Sequence, residues 1–125
     1  MALAMLWCGA LVWFVQSMPS KSVPASVTTE AIIVLTGGQG RVEHGLEMLA
    51  EGAAPVLFIS GVGQHVTLMQ MLAAHTTREV QEKILTLQPE IIFDYLADTT
   101  QSNADQASEF VQKRRIRSIR LITAH

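Results

Sequence analysis

Three glycines and an arginine, Gly37, Gly38, Gly40 and Arg41, follow an apolar run with only Gln39 among them. Glycines let backbone N–H groups approach a ligand closely, and a guanidinium chelates oxyanions, so this stretch suits an anion such as phosphate. Glu43 stands two positions further on, where a helix would make its first turn. Ser60 and Gly61, in "SGVG", close a second apolar run. Thr100 and Asn103 follow a third, in "DTTQSNADQA", and Thr123 and His125 follow a fourth. In open parallel sheets ligands bind beyond the carboxyl ends of the strands, so these places form one rim. The expected ligand-binding set is therefore Gly37, Gly38, Gly40, Arg41, Glu43, Ser60, Gly61, Thr100, Asn103 and Thr123.

Sharper motifs fail on this rim. A Walker loop needs Lys and then Ser or Thr after its last glycine, whereas Gly40 leads into Arg41-Val42. The dinucleotide pattern G-x-G-x-x-G started at Gly38 meets Glu43 where the third glycine belongs. Ser60 is preceded at two positions by Phe58, which excludes a G-x-S-x-G nucleophile elbow. No His, Cys, Asp or Glu cluster has zinc spacing, so no metal is expected. The sequence thus assigns no catalytic group and identifies no cofactor.

Each residue also has a plainer reading. Thr100 or Ser102 suits a helix N-cap, and Asn103 either caps as well or aims its amide into the rim. Arg41 and Glu43 are surface residues of a first turn, and His44, His65 and His75 face solvent on the plain view. Lys113, Arg114, Arg115, Arg117 and Arg120 gather five of the nine basic residues. At the end of a helix such charges complement the dipole; contact with anionic lipid headgroups is the alternative.

The elements that must carry this rim follow from the apolar pattern. Strands are expected at Ala31–Thr36, Val56–Ser60, Glu90–Tyr95 and Ser118–Thr123. They are nearly continuous Ile, Val, Leu and Phe, as strands buried on both faces are. Arg41 to Glu51 carries Val42, Leu46, Leu49 and Ala50 at helical spacing, with Gly52 as its stop signal. Val66 to Ala74 repeats the pattern with Leu68, Met69 and Leu72, the methionines serving as core filler. Arg78 to Leu85 reads as a further short helix, and Asn103 to Arg114 puts Ala104, Ala107, Phe110 and Val111 on one face. Strands alternating with helices predict an α/β class: a Rossmann-like parallel sheet with right-handed crossovers and flanking helices. Because the chain stops at His125, directly at a strand end, an apolar face is expected to lack its covering helix, and the domain over residues 30–125 is expected to be incomplete.

The 125 residues allow one domain, and a net charge of −2 gives no electrostatic case for nucleic acid. Met1 to Val15 has no charged side chain, and 49% of the whole chain is hydrophobic. Residues 1–18 therefore read as a transmembrane anchor at the low end of the spanning length, with a cleaved signal or a buried helix as alternatives. Cys8, the single cysteine, excludes a disulfide framework and is expected to face the membrane. Residues 19–29, rich in Ser and Pro, read as a linker.

Together, "AIIVLTGGQGRVEHGLEMLAEGAAPVLFISGVG", "DTTQSNADQA" and "IRLITAH" resemble the YdcF-like family of bacterial envelope proteins, of SanA/ElyC type. The resemblance covers residues 31–125 and is limited to the N-terminal portion of the family domain. It implies an inner-membrane protein with a single-pass anchor and a periplasmic domain, although the lone flanking Lys21 opposes that orientation. It matches Gly37, Gly38 and Arg41 to the family's first loop, Ser60 and Gly61 to its second, and Thr100 and Asn103 to its Thr-x-x-Asn motif. The family's later Tyr-His-Met-x-Arg stretch has no counterpart here, since the chain stops at His125. The implied function is envelope or peptidoglycan biogenesis, with the bilayer as a partner and a phosphate-bearing, polyprenyl-linked ligand at the rim. A non-catalytic module for a nucleotide or S-adenosylmethionine, and a non-functional truncated fragment, are the alternatives.

Overall fold

The computed structural model describes residues 2–17, Pro24 and residues 26–122. The first element, α1 (Ala2–Ser17), has 16 residues. Every residue from Leu6 to Ser17 is exposed, and Leu6, Trp7 and Trp13 are 75%, 69% and 71% exposed, so α1 is not packed in the core of this domain. The expectation of a spanning anchor over 1–18 meets a length limit. At 1.5 Å per residue α1 is about 24 Å long, against a hydrocarbon core of about 30 Å. No helix among the described residues is long and apolar enough to cross a membrane.

The domain that follows runs β1 (Ala31–Leu35), α2 (Arg41–Ala50), β2 (Val56–Ser60), α3 (Leu68–His75), α4 (Arg78–Leu87), β3 (Glu90–Asp94), α5 (Thr100–Arg114) and β4 (Ile119–Ile122). The four strands lie in the order β3-β2-β1-β4, and all three pairings are parallel. Right-handed crossovers then dictate where the helices go. The chain moves from β1 to β2 to β3 in one direction, keeping α2, α3 and α4 on one face; it returns past β1 to β4, and α5 crosses on the other face. Two cores result. Ile32, Val34, Leu57 and Ile59 pack beneath Leu46, Leu49, Leu72 and Ile84. Ala31, Ile33 and Phe58 pack on Ala107 and Phe110, with the Phe58 and Phe110 rings stacked at 4.5 Å. On this second face Ile119 and Leu121 of β4 stay 45% and 48% exposed beside α5.

Capping chemistry sets the helix limits. The N–H groups of Gly52 and Ala53 return to the carbonyls of Leu49 and Met48, and Gly52 takes a positive φ of 77°, which ends α2 in a Schellman turn. Thr67 and Gln70 form a capping box, so α3 begins at Leu68 and not at Val66. The later start turns its buried side to Met71 and Leu72 and leaves Met69, expected in the core, 61% exposed. Thr99, neither Thr100 nor Ser102, caps α5. Its box partner is Ser102, and the helix starts three residues before the expected Asn103. Asn103 consequently joins Ala107 and Phe110 on the buried side, while Ala104 turns out to solvent.

The described part of the 19–29 segment is tied down. Thr29 N–H donates to Ala53 O at 2.9 Å, and Glu30 N–H donates to Ser118 O at 3.1 Å. Arg120, only 8% exposed, donates from Nη2 to Pro24 O at 2.9 Å and also to Val27 O. These contacts gather at the amino-terminal edge of the sheet, opposite the glycine turn. The basic cluster is similarly engaged: Arg114 grips Glu90 through two bonds of 2.7 Å, and Lys113 pairs with Glu109.

Candidate functional site

At the carboxyl-terminal edge the chain leaves β1 through Thr36 to Gly40 and enters α2. Gly37 and Gly40 have φ of 101° and 74°, a left-handed region that suits glycine. Gly40 is the N-cap of α2 and offers no side chain, so the N-cap residue itself makes no side-chain bond to the first-turn amides. The α3, α4 and α5 termini, by contrast, are each capped by a threonine.

Arg41 does not project as a surface residue. Its Nη1 donates to Leu35 O at 3.1 Å, folding the guanidinium back over the glycine loop. A side chain on Gly38 would put its Cβ 2.5 Å from Arg41 Nε, so Gly38 is what allows this fold-back. Nε is buried and has no hydrogen-bond partner among the described residues. An unmet guanidinium donor held against a glycine turn is costly unless some acceptor reaches it.

Beside this loop lies a cleft of about 760 Å³, within the size range of small-molecule sites. Thr36, Gly37 and Gly38 form one wall, and Gly61, Gly63 and His65 form another. Met71, Ala74 and His75 of α3 and Val42 of α2 close it. Thr36 Oγ1 donates to Gly61 O at 2.8 Å, joining the first and second loops. Gly61 has φ 77°, and a Cβ there would come within 2.6 Å of Asn103 Oδ1, so no other residue fits. His65 also lies in the left-handed region, at φ 74°, an uncommon state for a side-chain-bearing residue.

Behind the cleft Ser60 is completely buried, and Asp94 and Asn103 are each 8% exposed. Ser60 Oγ is 2.8 Å from Asp94 Oδ2 and 3.0 Å from the Asn103 side-chain amide. The hydroxyl has one proton. It donates that proton to Asp94 and is satisfied fully when Asn103 turns its NH2 toward it. Asp94 Oδ1 accepts from Leu96 N–H at 3.0 Å, so the carboxylate is occupied on both oxygens. This is a structural knot between β2, β3 and α5.

The expected rim is therefore divided. Gly37, Gly38 and Gly61 line the cleft, and Gly40, Arg41 and Glu43 flank it at the head of α2. Ser60 and Asn103 lie beneath it, buried and outside the cleft lining, with Ser60 Oγ against Asp94 and the Asn103 side-chain amide. Thr100 is exposed in the first turn of α5, displaced by Thr99 as the cap. Thr123 and His125 lie outside the described residues.

Glu43 is not a lone surface carboxylate either. His75 Nδ1 lies 2.7 Å from Glu43 Oε1, which corrects the reading of His75 as a purely solvent-facing residue. The hydrogen bond from His75, and then the backbone N–H of Glu43 itself, hold the Glu43 carboxyl below the usual carboxylate range. The sequence reading missed His75 and Asp94. Asp94 had a usable signal, an acidic residue ending the apolar run "EIIFD"; His75 had none, since 32 positions separate it from its partner. Among the described residues no group of His, Cys, Asp and Glu is arranged to hold a metal ion.

Comparison with known proteins gives a partial likeness. The chain is 34% identical over 76 residues to the uncharacterised protein RC1356 of Rickettsia conorii, covering 61% of this chain and 44% of that one. It is 31% identical over 81 residues to the uncharacterised protein RP875 of Rickettsia prowazekii, covering 65% of this chain and 46% of the other. The matched region thus spans less than half the length of these relatives. No protein-family model matches the chain, and no solved structure matches it.

Proposed function

We propose that this chain binds a phosphate-bearing ligand at the glycine turn Gly37–Gly40, as a YdcF-like protein of envelope biogenesis associated with the inner membrane through α1. The observation that carries the reading is the glycine turn itself, with Gly37 and Gly40 at positive φ, the Arg41 guanidinium folded over it, and a helix whose N-cap residue supplies no side-chain bond. A phosphate seated on this turn would meet the positive charge of the guanidinium and the favourable end of the helix dipole. The exposed apolar side chains of α1 support association with a lipid surface, which suits a polyprenyl-linked ligand.

Calorimetry on the 125-residue chain in detergent, titrated with undecaprenyl phosphate, tests this reading. Saturable binding is expected, displaced by inorganic phosphate and weakened roughly tenfold or more in Arg41→Ala, the scale of one charge-assisted bond. No saturation, or an Arg41→Ala variant that binds as well as the parent, would sink it.

One observation favours a second reading. The strand order β3-β2-β1-β4 contains the 3-2-1 order of a dinucleotide-binding half with one further strand beside it, which suits a nucleotide or S-adenosylmethionine module. Against it stands Ser60, which ends β2 where a ribose-gripping carboxylate would be needed. Saturation by S-adenosylmethionine without competition from phosphate would favour the module.

A further inference from the structure

The cleft wall carries a pair of groups that simple phosphate binding does not use. His75, the last residue of α3, faces Glu43 in the first turn of α2, with Nδ1 and Oε1 2.7 Å apart. A carboxylate only accepts, so Nδ1 holds the hydrogen, and a neutral imidazole keeps its lone pair on Nε2. The bond to Glu43 is the only hydrogen bond His75 makes through its side chain among the described residues. The two side chains are 34% and 40% exposed, so as a tie between helices the pair would add little stability. Its position carries more weight: His75 lines the same cleft as Gly37 and Gly38. A carboxylate fixing one imidazole nitrogen and freeing the other is the arrangement of an oriented general base.

We propose that the cleft hydrolyses a phosphate monoester, with His75 as general base and Glu43 as the residue that positions it. This rests on the reading that the glycine turn takes a phosphate. A water molecule attacks phosphorus while its proton passes to Nε2 of His75. The bond from phosphorus to the ester oxygen breaks, and the electron pair leaves with that oxygen. The imidazolium or solvent then returns the proton to the leaving alkoxide. One ester and one water give one alcohol and one inorganic phosphate, with no oxidation or reduction. Gly37 and Gly38 bring backbone close to the phosphoryl group, and the head of α2 favours its charge.

Two measurements on the full chain separate this proposal from its foundation: inorganic phosphate binding by calorimetry, and phosphate release from farnesyl phosphate. The parent chain should bind and turn over. His75→Gln, which keeps an N–H for Glu43, should bind phosphate within about twofold and lose about 100-fold or more in kcat, the usual worth of a general base. Glu43→Gln should lower kcat about tenfold with KM unchanged, since it disturbs only the orientation of the base. Free imidazole should restore part of the turnover of His75→Ala, which a structural role for the ring would not allow. Phosphate binding without turnover in the parent, or undiminished turnover in His75→Gln, overturns the proposal and leaves the binding reading standing. Absence of phosphate binding in the parent removes the binding reading and this one with it.

Discussion

Ser60 illustrates how little a residue's type says about its availability. At the end of a strand, followed by glycine, it has the appearance of a rim hydroxyl, yet it has no exposed surface and bonds to Asp94 and Asn103. Ser60→Ala should therefore act on stability and leave ligand affinity unchanged. Removing the donor strands a buried Asp94 oxygen, and the expected loss is about 1–3 kcal/mol, read as a lower urea midpoint at unchanged slope. The glycines were legible because their backbone angles are local: Gly37, Gly40 and Gly61 take the positive φ that their clustering suggests. Arg41 was legible as to place and not as to direction. Whether a guanidinium reaches outward or folds onto the preceding strand depends on the space left by Gly38, which spacing alone does not reveal. Two carboxyls set an acid limit at this scale. Glu90 is held below its ordinary value by the hydrogen bonds from Arg114, and Glu43 by that from His75. A carboxyl lowered in the native state contributes stability above its unfolded value and loses it as pH falls through the native one. The melting temperature should thus drop as pH falls from about 5 to about 3, more gently in Glu90→Gln.

The elements were the most readable level. All four strands stand where continuous apolar runs predicted them, with β2 matching at both ends. Such runs are clearest in β1 and β2, which are buried on both faces; β4 is interrupted by Arg120 and keeps Ile119 and Leu121 half exposed on one face. Helix starts were harder, because adjacent hydroxyl residues compete for the same role. "DTTQS" offers three candidate caps; Thr99 prevails by pairing reciprocally with Ser102, and the shift swings Asn103 inward. Thr99→Ala should cost about 1 kcal/mol by thermal melting, whereas Thr100→Ala should cost a few tenths at most. An equal effect of the two would mean that the cap is shared. At α3 the lone Thr67, boxed with Gln70, sets the start two residues later than expected, and Met71 lies in the core where Met69 was expected.

For the whole molecule, the sheet order follows from topology more than from any residue. A sequence that predicts alternating strands and helices leaves open which strand lies beside β1. The structure places β4 there and α5 alone on the second face. Leu57, fully buried in the middle of the sheet, is the point where both neighbouring strands and α2 meet the larger core. Leu57→Ala should destabilise by about 2–5 kcal/mol, a large share of the stability of a domain this small. Less visible from sequence was the grip of Arg120 on Pro24 and Val27, which converts part of an apparent linker into a fixed attachment. That attachment has a directional consequence. The domain hangs from its amino-terminal edge, while the glycine turn opens at the opposite edge, a five-residue strand away, or about 16 Å. A ligand therefore enters from the edge of the sheet that the attached segment leaves open, on the side of the glycine turn.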